Sequence, residues 1–317
     1  MVYMNEILLK NEKDLKEDPT SCKANFGVGA TYYALEHYKE ALIYLKRAIK
    51  LDPNFVSAYK YLGFVYVNLK RFEDANTAYK QAIKLDPNDA ELFVNLGISY
   101  GNLKNYEKAI LAIKQAIKLA PYFSEYYYHL GRTYYISKRY EEAISTLRQV
   151  IKMDSQFFKA YSLLSSVYGR LERYEESIDV CKSLIQADFN DAVWKPDYSI
   201  PYFQLGLGYY KLGRYEEAIT SYKQAIKLDS DSTDSRYTYK NIGEVYNELK
   251  RYEEAIISFK KAIKLDPNYS MAYYGLGMSY ILNNNKESAF KIYESLKKLD
   301  QDLAQKLYSF ICRKNKI

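Results

Sequence analysis

Apolar and polar positions along this chain fall into blocks of helical period, with apolar residues recurring at three- and four-residue steps and polar strings between the blocks. Two such blocks make one unit of pattern. Strings such as Lys104-Asn105-Tyr106-Glu107-Lys108 and Lys138-Arg139-Tyr140-Glu141-Glu142 separate the first block from the second. Glu141-Glu142, Glu216-Glu217 and Glu253-Glu254 open second blocks, where carboxylates oppose the positive end of a helix dipole. Asp52-Pro53, Asp86-Pro87 and Asp266-Pro267 close them, since proline disfavours helix at the residue before it. Asn54, Asn88 and Asn268 then stand where the next helix needs a cap.

The unit repeats. Gly29, Gly63, Gly97 and Gly131 are spaced 34 residues apart, and Gly206, Gly243 and Gly277 continue the series. A tyrosine follows each by three, an alanine or similar small residue by twelve and a large residue by sixteen. In the second copy these are Tyr66, Ala75 and Tyr79; in the third, Tyr100, Ala109 and Ile113; in the seventh, Tyr246, Ala255 and Phe259. Glycine and alanine at these places let paired helices approach closely, and the large residues fill the space between. The fifth copy departs most: Ser165 replaces the glycine and Ser177 the alanine. From Ser165 to Gly206 the interval is 41, and from Gly206 to Gly243 it is 37, so residues are inserted near Asp188–Tyr198 and Asp231–Asp234. The first insertion holds Trp194, the chain's one tryptophan, and Pro196.

This frame resembles the tetratricopeptide repeat, whose pattern is W-x2-L-G-x2-Y, then A-x3-F, then P. The resemblance covers roughly residues 22–301 in eight copies. It implies an all-α, right-handed α-solenoid of about eight helix-turn-helix repeats. The expected organisation is a capping helix at 1–21, repeats one to five at 22–187, an inserted loop at 188–198, repeats six to eight at 199–301, and a closing helix with a basic tail at 302–317. Terminal repeats need such caps to cover an exposed apolar face. The two insertions are the expected place of a bend.

The composition is globular, with 48% hydrophobic and 27% charged residues. A formal charge of +7 permits an acidic partner without demanding one. The 37 tyrosines fall mostly on framework positions, such as Tyr32, Tyr66, Tyr100, Tyr134, Tyr168, Tyr209, Tyr246 and Tyr280, where packing accounts for them. Cys22, Cys181 and Cys312 are far apart and form no CxxC, which argues against a disulfide framework or a zinc site. No apolar run is long enough for a signal peptide or a membrane span, so no membrane insertion is expected and the cytoplasm is the expected location. The two histidines, His37 and His129, pair with no ligand set, and no HExxH, nucleophile elbow or P-loop occurs. Neither a catalytic residue, a metal site nor a cofactor is expected; the expectation is a non-enzymatic protein.

The family resemblance implies that the first helix of each pair lines a groove for a peptide or partner protein. Carried over position by position, the candidates are Phe26, Lys60, Phe64, Asn95, Ile98, Tyr128, Arg132, Lys159, Arg170, Phe203, Tyr210 and Lys240, with Ile200 and Tyr237 among the further groove positions. Their aromatic and basic character predicts a ligand with apolar anchors and acidic groups. A carboxylate clamp of the kind some relatives carry fits poorly: Lys60 and Asn95 match it, while Phe64, Glu125 and His129 do not. Lys50, Lys84, Lys118, Lys152, Lys227 and Lys264 recur once per repeat, as a solvated stripe or, in the alternative, as a surface for RNA or another polyanion. Nucleic acid is the lesser expectation. A third reading is a regulatory or substrate-presenting subunit of an enzyme complex. Sixteen stacked helices at about 8–10 Å each give a contour of roughly 130–160 Å. Small-angle scattering is therefore expected to give a radius of gyration clearly above the ~20 Å of a compact globule of this length; a value at 20 Å would rule the extended stack out.

Overall fold

The computed structural model describes residues 2–187, 197–229 and 235–313. Among them are eighteen α-helices and no strand. The insertions at 188–196 and 231–234, with Trp194 and Pro196, and the basic tail at 314–317 lie outside the described residues. Contacts divide the chain into two units, Met1–Ser155 and Gln156–Ile317.

The first unit opens with α1 (Val2–Glu17) and continues as four helix pairs: α2 (Cys22–Ala34) with α3 (Tyr38–Leu51), α4 (Val56–Asn68) with α5 (Phe72–Leu85), α6 (Ala90–Asn102) with α7 (Tyr106–Leu119), and α8 (Ser124–Ile136) with α9 (Tyr140–Met153). The second holds α10 (Phe158–Arg170) with α11 (Tyr174–Gln186), α12 (Ser199–Lys211) with α13 (Tyr215–Leu228), α14 (Ser235–Glu248) with α15 (Tyr252–Leu265), and α16 (Ser270–Leu282) with α17 (Lys286–Leu296), then α18 (Gln301–Arg313). Each unit is a tetratricopeptide-type α-solenoid segment. Within each, every pair packs on the next, and first helices touch first helices: α2 with α4, α6 with α8, α10 with α12, α14 with α16.

The spacing of sixteen seen in the sequence is the contact that joins each pair. A methyl group placed on Gly97 would come 2.6 Å from Ile113, on Gly206 2.6 Å from Tyr222, and on Gly243 2.7 Å from Phe259; one on Gly63 would overlap the Tyr79 ring. Tyr79, Tyr222 and Phe259 are fully buried in return. The fifth pair solves the same problem differently. Ser165 is opposed by Cys181, and the space is filled by polar contacts: Ser165 Oγ lies 2.8 Å from Ser177 Oγ and 3.1 Å from Cys181 Sγ, and Ser177 Oγ donates to the Ser165 carbonyl at 3.1 Å.

The turn inside each pair ends in a left-handed residue: Glu36, Lys70, Lys104, Lys138, Glu172, Lys250 and Asn284 at φ 57–63°, and Gly213 at 73°. The next N–H then reaches back to the first helix, as from Arg71 to the Tyr66 carbonyl at 2.8 Å. A side chain in this conformation costs about 1–2 kcal/mol, which the closed turn carries in seven of these eight copies. The residue after it is often an arginine with a fixed set of partners. Arg139 lies 4.8 Å from the centre of the Tyr134 ring, pairs with Glu142 at 2.8 Å on its own second helix and reaches Glu107 on the preceding one at 3.4 Å. Arg251 repeats this with Tyr246, Glu254 and Glu216, and Arg214 with Tyr209, Glu217 and Glu175. A lysine from the preceding copy approaches the same tyrosine, Lys114 on Tyr134 and Lys182 on Tyr209.

The expected asparagine caps are corrected. Asn54, Asn88 and Asn268 donate their backbone N–H to Asp52, Asp86 and Asp266 at 2.9–3.1 Å, so the aspartate shapes the turn. The cap positions fall one residue later, at Phe55, Asp89 and Tyr269; of these Asp89 accepts from Glu91 and Leu92, while Phe55 and Tyr269 make no side-chain cap. At the far end of the second unit, Tyr274, Met278 and Ile281 pack with Leu303, Leu307 and Ile311 of α18.

Two outcomes follow. Gly63→Ala is expected to lower stability by about 1–3 kcal/mol through overpacking against Tyr79, whereas Gly101→Ala, with open space around it, is expected to raise it by about 0.5–1 kcal/mol; denaturant titration compares them. Arg139 and Arg251 hold the Glu142 and Glu254 carboxyls below their ordinary pKa. Their stabilisation is present above the ordinary carboxylate pKa and lost as pH falls through the lowered one. The double variant Glu142→Gln, Glu254→Gln is thus expected to melt below the wild type at pH 7 and close to it at pH 2; an equal gap at both pH values would refute the assignment.

Candidate functional site

In the first unit, the aromatic groove candidates are engaged within the protein. Phe26 packs against Phe55 at 5.0 Å and Tyr61 at 5.2 Å. Phe64 lies between Tyr33, Tyr61 and Tyr79 at 5.5–6.1 Å. Burial raises the Tyr33 hydroxyl above its ordinary pKa. Lys60 is paired twice, with Glu91 at 2.5 Å and Asp89 at 3.4 Å, and its pKa is raised by these partners in spite of its desolvation. Asn95 donates to the Glu91 carbonyl one turn back. Ile98 and Arg132 do come together, around a hollow of about 60 Å³ shared with His129 and Ile136. Tyr128 is half-buried near Arg132, its hydroxyl raised by burial.

The second unit contains a larger opening. A cleft of about 540 Å³ lies between the starts of α12 and α14 and the end of α13. Phe203, Ile200, Tyr237 and Tyr269 supply its apolar wall, and Asp197, Asp229, Lys240, Asn241 and Thr238 its polar groups. Of the twelve sequence candidates it brings together Phe203 and Lys240. Tyr210 packs beside Tyr215 at 6.1 Å and does not line the cleft, nor do Lys159 and Arg170, both exposed on α10.

Behind the wall, Phe203 rests on buried Tyr222 at 5.7 Å. Burial lifts the Tyr222 hydroxyl far above the usual phenol range, with Asn241 beside it. Tyr237 and Tyr269 meet edge to face at 5.4 Å, and the Arg236 guanidinium lies 4.6 Å from the centre of the Tyr237 ring while pairing with Asp266 at 3.2 Å. Lys240 is paired with Glu244 at 2.8 Å. Asp197 accepts the N–H and hydroxyl of Ser199 through one oxygen.

Sequence reasoning missed Asp197, Asp229 and Tyr269. The signal was present in the two broken intervals, one just before α12 in the chain and one just after α13. The lysine stripe at Lys50, Lys84, Lys118, Lys152, Lys227 and Lys264 is exposed in the last turns of second helices, where cations complement the helix dipole. Among the described residues no group of histidine, cysteine and carboxylate side chains is placed to hold a metal, and no helix is long and apolar enough to cross a membrane.

Stacked hairpins with a small residue on one helix set against a large one on its partner define a helical repeat protein. The chain belongs to the tetratricopeptide repeat family. The family profile described as "Cilia and flagella-associated protein 70 C-terminal domain" matches residues 15–192, and tetratricopeptide repeat profiles match residues 197–268 and 258–291. No curated protein matches the sequence. Among solved structures, the chain is similar to PilF of Pseudomonas aeruginosa, with 15% identity and a TM-score of 0.56 over 69% of this chain and 96% of that one. It is also similar to a chain of the APC/C hetero-tetramer Cut9–Hcn1, with 15% identity and a TM-score of 0.55 over 92% of this chain and 56% of that one. Both likenesses concern the fold. MamA is 26% identical over 55% of this chain and 92% of its own, with a TM-score of 0.48. Tetratricopeptide repeats in general mediate protein–protein interaction and are in general non-enzymatic.

Proposed function

We propose that this protein is a non-enzymatic interaction scaffold and that the α12–α14 cleft docks a peptide segment of its partner. The observation that carries the reading is the cleft itself: about 540 Å³, lined by aromatic and apolar side chains and a few polar groups. That is the size and lining of a ligand pocket. Elsewhere the groove-type aromatics are spent on one another, as Phe26 and Phe64 are. Tyr237 and Ile200 are exposed at 41% and 47%, so an incoming side chain has apolar surface left to bury.

The test is a selection of random twelve-residue peptides on the full chain, followed by calorimetry of the selected peptides. Ile200→Asn and Tyr237→Ala change surface positions and are expected to keep the helical circular dichroism. Each is expected to weaken the selected peptides at least tenfold, about 1.4 kcal/mol. Peptides that bind both variants as tightly as the wild type would place docking elsewhere.

A further inference from the structure

We infer that the segment docked in the α12–α14 cleft presents a basic side chain, arginine or lysine, to Asp197 and Asp229. This rests on the docking reading above and narrows its chemistry. Each cation at the cleft already has a carboxylate of its own: Lys240 has Glu244 at 2.8 Å, and Arg236 has Asp266 at 3.2 Å. Among the described residues the two aspartates have no such partner. Asp197 uses one oxygen to hold the start of α12, and its other oxygen has no partner among them; the hydrogen bond at Asp229 runs from Ser235 to its backbone carbonyl, and its carboxylate is unpaired among the described residues. The lining of the cleft therefore carries two negative charges that no described cation pairs with, on a protein whose formal charge is +7.

The apolar lining fits the same guest. Arginine and lysine bury an aliphatic stem while keeping the charged head among polar groups, and a guanidinium or ammonium gains from an aromatic face. The protein already uses these rings in this way, with Arg236 held against Tyr237 and a carboxylate at its end. An acidic guest meets Asp197 and Asp229 in the lining, and the cation it would seek, Lys240, is paired with Glu244. The basic groove positions read from the sequence, such as Lys60, Arg132, Lys159 and Arg170, predict acidic groups on the ligand; the local charges of the cleft predict the opposite.

Three fluorescent heptapeptides of alanine and leucine, identical except for a central arginine, glutamine or glutamate, separate the outcomes by anisotropy at 150 mM salt. The arginine peptide is expected to bind at least tenfold tighter than the glutamine one, and the glutamate peptide weakest. In Asp197→Asn, Asp229→Asn that preference is expected to collapse to under threefold. Asparagine at 197 keeps the oxygen that accepts from Ser199, so α12 keeps its start. If all three peptides bind alike and Ile200→Asn weakens all of them, the cleft docks peptides and the basic preference is overturned. If the glutamate peptide binds best, or the arginine preference survives in the double variant, it is overturned as well. If Ile200→Asn changes none of them, or none binds, the docking reading itself falls.

Discussion

A small residue on one helix set against a large one sixteen residues later is the contact on which both units depend. It fixes how closely the helices of a pair approach, and so where every side chain on the first helix stands. Gly63 with Tyr79, Gly206 with Tyr222 and Gly243 with Phe259 are one solution in three places. Because interiors pack like crystals, neither member tolerates much change alone. Tyr222 also supports Phe203 and neighbours Asn241, so the same contact that closes a pair shapes the cleft behind which it lies.

Around this packing runs a set of charges that fixes register. The turn arginines touch a tyrosine on the first helix, a glutamate on the second and a glutamate of the preceding pair. Exposed ion pairs are individually weak. Their repetition at matching places makes a shifted stacking lose several contacts at once, which is a statement about specificity more than strength.

The helices and their pairing were legible in the sequence because a one-dimensional period encodes them. Gly29, Gly63, Gly97 and Gly131 at 34-residue steps already imply the hairpin, and the tyrosine series implies its filling. The binding surface was legible only in part. Phe26 and Phe64 satisfy the groove positions by number, yet Tyr33, Phe55, Tyr61 and Tyr79 converge on them from α2, from α4 and the residue before it, and from α5. Lys60 is neutralised by residues 29 and 31 positions away. Asp197 and Asp229 stand next to the breaks in the period, and a break says where the regular pattern stops without saying what chemistry stands beside it.

The substituted pair of the fifth copy gives the protein an internal chemical clock. Cys181 is 1% exposed among Ser165, Ser177 and Gln204, and burial pushes its thiol up to about 11. Reaction with a disulfide reagent needs an accessible thiolate, so while this pair stays closed the sulfur is doubly shielded. Cys312 is exposed and Cys22 half-buried. The slowest of the three labelling rates thus measures the opening of α11 from its neighbours α10 and α12, a local event reported by a native atom without any introduced probe.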